Sequence, residues 1–93
     1  MVIADLTIFP VGAGEGLALE VAKVVKVIKG SGLKHLVGSM GTSVEGEWDE
    51  IMTLITQCRA SLRGTHRVYY VIKIDERDDP EHSMEHKISA VSR

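Results

Sequence analysis

The chain has 93 residues, enough for one small domain with one core and too few for two. Its 44% apolar and 26% charged residues fit a water-soluble globular protein, and a net charge of −2 supplies no basic field for a nucleic-acid backbone. Cys58, the only cysteine, excludes an intrachain disulfide and a cysteine-cluster metal site, and suits a reducing, cytoplasmic setting.

The start, "MVIADLTIFP", lacks the basic residues, continuous apolar stretch and cleavage site of a signal peptide. The longest apolar region, 17–28, is interrupted by Glu20, Lys23 and Lys26, so no membrane span is expected.

Residues 2–9 alternate and predict a strand, with Val2, Ala4, Leu6 and Ile8 on one face and Ile3, Asp5, Thr7 and Phe9 on the other. "PVGAGEG" breaks it. A helix follows over 17–29, with Leu17, Val21, Val24, Val25 and Ile28 in one stripe. "LKHLVGSM", 33–40, predicts a second strand, Gly41-Thr42 a tight turn, and "SVEG" a short return strand. The next helix, about 47–63, has Trp48, Ile51, Met52, Ile55 and Leu62 on its apolar face, with Cys58 near it. Its acidic first turn, basic last turn and Gly64 stop agree with the helix dipole. Residues 67–75 form the most regular strand. Asp79 and Pro80 then predict the cap and first position of a last helix striped by Met84, Ile88 and Val91.

The order β-α-β-β-α-β plus a terminal helix is the split βαβ, ferredoxin-like α+β pattern over 1–93: a four-stranded antiparallel sheet with two helices on one face. The helices cover the more apolar strand faces. The opposite face then carries Ile3, Asp5, Thr7, Phe9, Tyr69, Val71, Lys73 and Asp75, joined by Ser43, Glu45 and, with unbroken alternation, His35, Val37 and Ser39. Such a mixed surface predicts an interface, hence a homo-oligomer or a polar small-molecule site.

Enzyme motifs are scarce. "GAGEG" has Leu17 where the dinucleotide fingerprint needs glycine, so it reads as a turn. His82 and His86 lie i,i+4 without the glutamate of H-E-x-x-H, and read as a solvated helix face rather than a metal site. Cys58 lies mid-helix with no histidine at local spacing, and reads as a small hydrophobe. Asp5 and Glu45 have neither a nucleophile nor a metal signature beside them. An RNA-binding sheet would want aromatics on both central strands.

"GSMGTSVEGEWDEI", 38–51, resembles the MGT-x-x-EG-x-WDE segment of a family of small ferredoxin-like proteins described as thiamine-binding or thiamine/hydroxymethylpyrimidine-binding. "ADLTIFPVGAG" and "RVYYVIKIDERDD" resemble the family's first and last strands, so the likeness spans the chain. It implies a homo-oligomer, a homodimer or commonly a tetramer built from dimers, with a small-molecule pocket near the subunit interface, and it does not imply an enzyme; from the residues themselves no metal and no cofactor is expected. One departure is that the family often has serine or threonine after the Pro-x-Gly turn, where this chain has "AGEGLALE".

Together these readings nominate Thr7, Ser39, Thr42, Ser43 and Glu45 as ligand contacts, with Asp5 and Lys73 in reserve. Carboxylates would accept from an aminopyrimidine, and hydroxyls would donate or accept. Phe9, Tyr69 or Trp48 could stack on a ring, although Trp48 and Met40 read better as packing residues. The alternatives are a regulatory or scaffolding oligomer without a ligand, and an enzyme acting on a small heterocycle.

Overall fold

The computed structural model describes residues 1–12 and 14–92; Ala13 of the PVGAGEG turn and Arg93 lie outside the described residues. Seven main elements follow in order: β1 (Val2–Pro10), α1 (Leu17–Gly30), β2 (Lys34–Val37), β3 (Thr42–Gly46), α2 (Trp48–Ser61), β4 (Val68–Glu76) and α3 (Met84–Val91). A short 3-10 turn, Gly14–Gly16, leads into α1. The strands form one antiparallel sheet in the order β2-β3-β1-β4, the ferredoxin-like arrangement with the first and third strands central.

The core lies between the sheet and the two long helices. Val2, Ala4, Leu6 and Ile8 of β1 and Val44 of β3 pack against Val24 and Ile28 of α1 and Ile51, Leu54 and Cys58 of α2. Period 2 in the strands and 3.6 in the helices bring these side chains to one layer. Burial pushes the Cys58 thiol up to about 11, so it is an inert packing group at neutral pH. Glu50 Oε1 accepts from the Glu47 backbone amide at 2.9 Å and fixes the start of α2.

Several expectations are corrected. β2 is four residues long, and Gly38–Gly41 make the turn, closed by Gly38 N–H donating to the Gly41 carbonyl at 2.8 Å; Thr42 is already in β3. This connection pairs Val37 with Thr42 and His35 with Val44, which turns His35 and Val37 toward the helices. Lys34 and Leu36 take the other face instead, opposite Glu45 and Ser43.

Trp48, at the exposed first turn of α2, is 45% exposed, and Met40, at the tip of the turn, is 85% exposed; neither is a packing residue. Leu54 supplies core burial that the apolar stripe assigned to Trp48. Residues 79–82 form a turn, with Asp79 Oδ1 accepting from Glu81 N–H at 2.9 Å. The last helix begins at Met84, where Ser83 Oγ accepts from His86 N–H at 3.1 Å as the N-cap.

The face away from α1 and α2 is partly covered. α3 packs across it, tied by Lys34–Glu85 at 3.4 Å and Lys87–Asp75 at 2.7 Å. His82 is therefore buried rather than solvated, with Nε2 3.4 Å from Asp75 Oδ2.

Candidate functional site

The nominated residues fall into two groups, one around a cavity at the 38–41 end and one on the open face of the sheet; Thr7, whose side chain is on the open-face side of β1 with Asp5, joins the first group through its hydrogen bond to the 38–41 turn. β3 alternation separates the two groups. Thr42 pairs with Leu6 on the helix side, while Ser43 pairs with Asp5 and Glu45 with Ile3 on the other face.

On the helix side, a cavity of about 430 Å3 lies between α1, β1 and the 38–41 turn. It exists because two apolar layers part company. β3 stops pairing with β1 at Leu6, while β1 runs on to Pro10 against β4 alone. Pro10 has no N–H to offer a third strand, so this margin suits it. Above the gap, α1 is tightly packed at Val24 and Ile28 but leaves Leu17 exposed and Val21 and Val25 only half-buried. The cavity walls are Leu6–Phe9 of β1, Leu17, Val21, Val24 and Val25 of α1, and residues 37–42. Thr7, Ser39 and Thr42 are its hydroxyl-bearing members.

Two contacts hold the turn against this cavity. Thr7 Oγ1 donates to the Met40 carbonyl at 2.9 Å, which binds the turn to β1. Gly41 sits so close that a Cβ there would lie 2.7 Å from Thr7 Oγ1 and 3.2 Å from the Leu6 carbonyl. The glycine is thus a packing requirement of the MGT segment, and the Thr7 hydroxyl is engaged in holding the wall.

On the other face, Asp5 accepts from Ser43 Oγ at 3.4 Å and pairs with Lys73 Nζ at 3.6 Å. These three candidates satisfy one another within the chain. Beyond them, Phe9 and Tyr69 form a tilted aromatic pair, centroids 5.5 Å apart. Glu45 differs. It is 8% exposed, and its Oε1 is enclosed without a hydrogen-bond partner among the described residues. The Asp75 carboxyl is held below its usual range, first by the Lys87 hydrogen bond and then by the nearby charges of Lys87, His82 and Arg77.

The structure therefore brings Thr7, Ser39 and Thr42 to one cavity, and Asp5, Ser43 and Lys73 to one polar cluster, with Glu45 apart beneath α3. Leu17, Val21 and Val25 were missed as wall residues. Their place on the helix stripe was readable, but a stripe reads as core unless something shows that the sheet beneath it stops short.

A family model described as thiamine-binding protein matches residues 4–92. The chain belongs to the thiamine-binding protein family. Among other members, a UPF0045 protein of Methanocaldococcus jannaschii is 36% identical over 97% of this chain and 91% of its own length. The crystal structure of that archaeal protein superposes with a TM-score of 0.86, covering 97% of this chain and 94% of the other. A UPF0045 protein of Synechocystis is 33% identical over 97% of this chain and 76% of its own length. The crystal structure of a Thermotoga maritima protein, described as a candidate for thiamine biosynthesis or salvage, is 26% identical with a TM-score of 0.85, covering 96% of each chain. No helix of the described residues is long and apolar enough to cross a membrane.

Proposed function

We propose that the protein binds a thiamine-type heteroaromatic molecule, without chemical turnover, in the cavity between α1 and the 38–41 turn. Family membership supports the ligand class. The observation that carries the location is that the family-like Gly-Ser-Met-Gly-Thr segment forms one wall of an apolar cavity of about 430 Å3, within the range of about 300–1,000 Å3 usual for small-molecule sites.

The chemistry assigns an orientation. A neutral aminopyrimidine suits the apolar walls, and the Ser39 and Thr42 hydroxyls can each donate to or accept from its edge. A thiazolium cation would lose its hydration inside with no carboxylate in the cavity wall to replace it. The cation stays at the mouth, near Ser39 and Met40. Hydroxymethylpyrimidine, which has no thiazolium, should therefore keep most of the affinity.

Self-association as a homodimer, or as a tetramer of two dimers, completes the proposal. Exposed Leu36, Tyr69 and Val71 on the open sheet face and the free outer edges of β2 and β4 support it. A cytoplasmic setting fits the lone reduced cysteine.

Calorimetric titration with thiamine and hydroxymethylpyrimidine tests the reading. The expected result is saturable heat with both compounds, a raised melting temperature, and binding at least roughly tenfold weaker when Val21→Trp fills the cavity. Absence of heat from folded protein, or unchanged binding by Val21→Trp, overturns it. Conversion of the bound compound would favour an enzyme instead.

A further inference from the structure

The stretch 51–74 contains no aspartate or glutamate, yet it carries Arg59, Arg63, Arg67 and Lys73 in a chain of net charge −2. Lys73 pairs with Asp5 on the open face. None of the three arginines enters an ion pair among the described residues. Arg59 lies in the last turn of α2, and Arg63 follows the Leu62 cap.

Basic residues at a helix C-terminus commonly serve its terminal carbonyls. Here four of those carbonyls already have donors from the chain itself. Ser61 Oγ donates to the Cys58 carbonyl at 2.7 Å. Leu62 N–H donates to Arg59 at 3.2 Å, Arg63 N–H to Ala60 at 3.2 Å, and Thr65 N–H to Leu62 at 3.1 Å. Gly64, with φ of +92°, then turns the chain toward β4. The two guanidiniums are left to the space in front of them.

That space is a pocket of about 460 Å3 between the end of α2 and the start of β4. Its volume is within the range of about 300–1,000 Å3 usual for small-molecule sites. Thr56, Arg59, Ala60 and Arg63 line it at the i, i+3, i+4 and i+7 spacing of one helix face. Ala60 contributes only a methyl group, which leaves the space open. The floor is Val68 and Tyr70, on the side of β4 that faces the core. β4 is an edge strand, so no further strand covers this floor, and Tyr70 is 37% exposed. No carboxylate among the described residues lines the pocket.

Two guanidinium forks, the Thr65 and Tyr70 hydroxyls and an aromatic floor thus meet in one place. A guanidinium matches phosphoryl oxygens two at a time, and two guanidiniums balance a dianion. We propose that this pocket binds a small phosphate monoester with an aromatic or heteroaromatic body. Arg59 and Arg63 donate to the phosphoryl oxygens, and the ring lies against Tyr70 and Val68. Monoesters have a second pKa of about 6 and are dianionic enough at neutral pH to engage both arginines. The pocket shares no wall residue with the α1 cavity and does not depend on what that cavity binds.

Calorimetric titration with phenyl phosphate at neutral pH and constant ionic strength tests the proposal, with phenol and inorganic phosphate as comparisons. The expected result is one saturable site per chain for phenyl phosphate, at least roughly tenfold weaker binding of inorganic phosphate, and none of phenol. Arg59→Gln and Arg63→Gln should each weaken phenyl phosphate at least roughly tenfold. Both arginines are exposed, so these variants are expected to fold as the wild type does. Lys29→Gln removes the same charge at the other end of the helix layer, where α1 ends beside the first turns of α2, and should change nothing. Val21→Trp, which closes the α1 cavity, should also leave phenyl phosphate binding unchanged. Tyr70→Leu should weaken the ester but not inorganic phosphate. The proposal is overturned by absence of saturable binding, by equal binding of phenol, or by inorganic phosphate binding as tightly as the ester. It is equally overturned by unchanged binding in either arginine variant, or by a loss in Lys29→Gln as large as theirs.

Discussion

The two ends of the sheet solve the problem of covering a strand face in opposite ways. At the 38–41 end, the helix layer and the sheet both remain apolar, but the sheet runs out before the helix does, and the result is space without charge. At the α3 end, a short helix is laid over a polar face, and the result is an open groove of about 480 Å3 along β2 and one buried carboxylate oxygen, Glu45 Oε1, without a hydrogen-bond partner among the described residues. Empty apolar volume and an unpaired carboxylate are both departures from ordinary native packing.

Substitutions along α1 should expose the first region most strongly. Ile28→Ala, in the filled half of the helix, is expected to cost about 2–5 kcal/mol, read by urea unfolding. Leu17→Ala, at the open end where the side chain is already exposed, should cost less than roughly 0.5 kcal/mol. Equal losses at the two positions would break the contrast between a packed and an unfilled half.

Next in size is Gly41→Ala. The added Cβ would meet Thr7 Oγ1 and the Leu6 carbonyl, so the turn must move off β1. A loss of about 1–3 kcal/mol is expected, together with loss of ligand binding at the cavity. A neutral effect would mean that the turn is not pressed against β1.

The α3 end should respond in the other direction. Glu45→Met replaces a buried carboxylate, whose Oε1 has no hydrogen-bond partner among the described residues, with an apolar side chain of similar length. Stability should rise by about 1–3 kcal/mol, seen as a higher melting temperature. A fall would mean that Glu45 has a partner within the folded chain.

The smallest expected effect is on acidity. Because the Asp75 carboxyl is held below its ordinary value of about 3.9, its pairing contributes fully above that pH. The contribution is lost as pH falls through the lowered folded value. The protection of α3 amides, measured against their intrinsic exchange rates, should therefore fall below about pH 4, while protection in α1 and α2 changes less. Lys87→Met should abolish the difference.

The sequence disclosed the fold through its periodicities. Alternation at Val2–Ile8 and at Val68–Ile74, and the stripe through Val24 and Ile28, were sufficient to order the elements, and the ferredoxin-like pattern they make has the first and third strands central, as the structure does. What it hid depends on distances between elements. The facing of His35 and Val37 is decided by a four-residue turn, and one residue of difference in its reading inverts a whole strand. Trp48 sits on the apolar stripe of its helix but in the first turn, beyond the edge of the sheet that would have buried it.

The candidate site was legible in part. Thr7, Ser39 and Thr42 do share a cavity, but Ser43 and Glu45, only one and three residues further on, face away from Thr42 or lie under α3. The polar groups at Asp5, Ser43 and Lys73 looked like vacancies in the sequence because their partners lie on different strands.

Backbone amide spectra recorded during a titration with hydroxymethylpyrimidine test the central claim most directly. The cavity account predicts saturable shifts concentrated at Gly38–Thr42, Thr7 and the Leu17–Val25 segment of α1, with the α3 end little changed. Shifts confined to Asp5, Ser43 and Tyr69 on the opposite face, or no shifts at all, would contradict it.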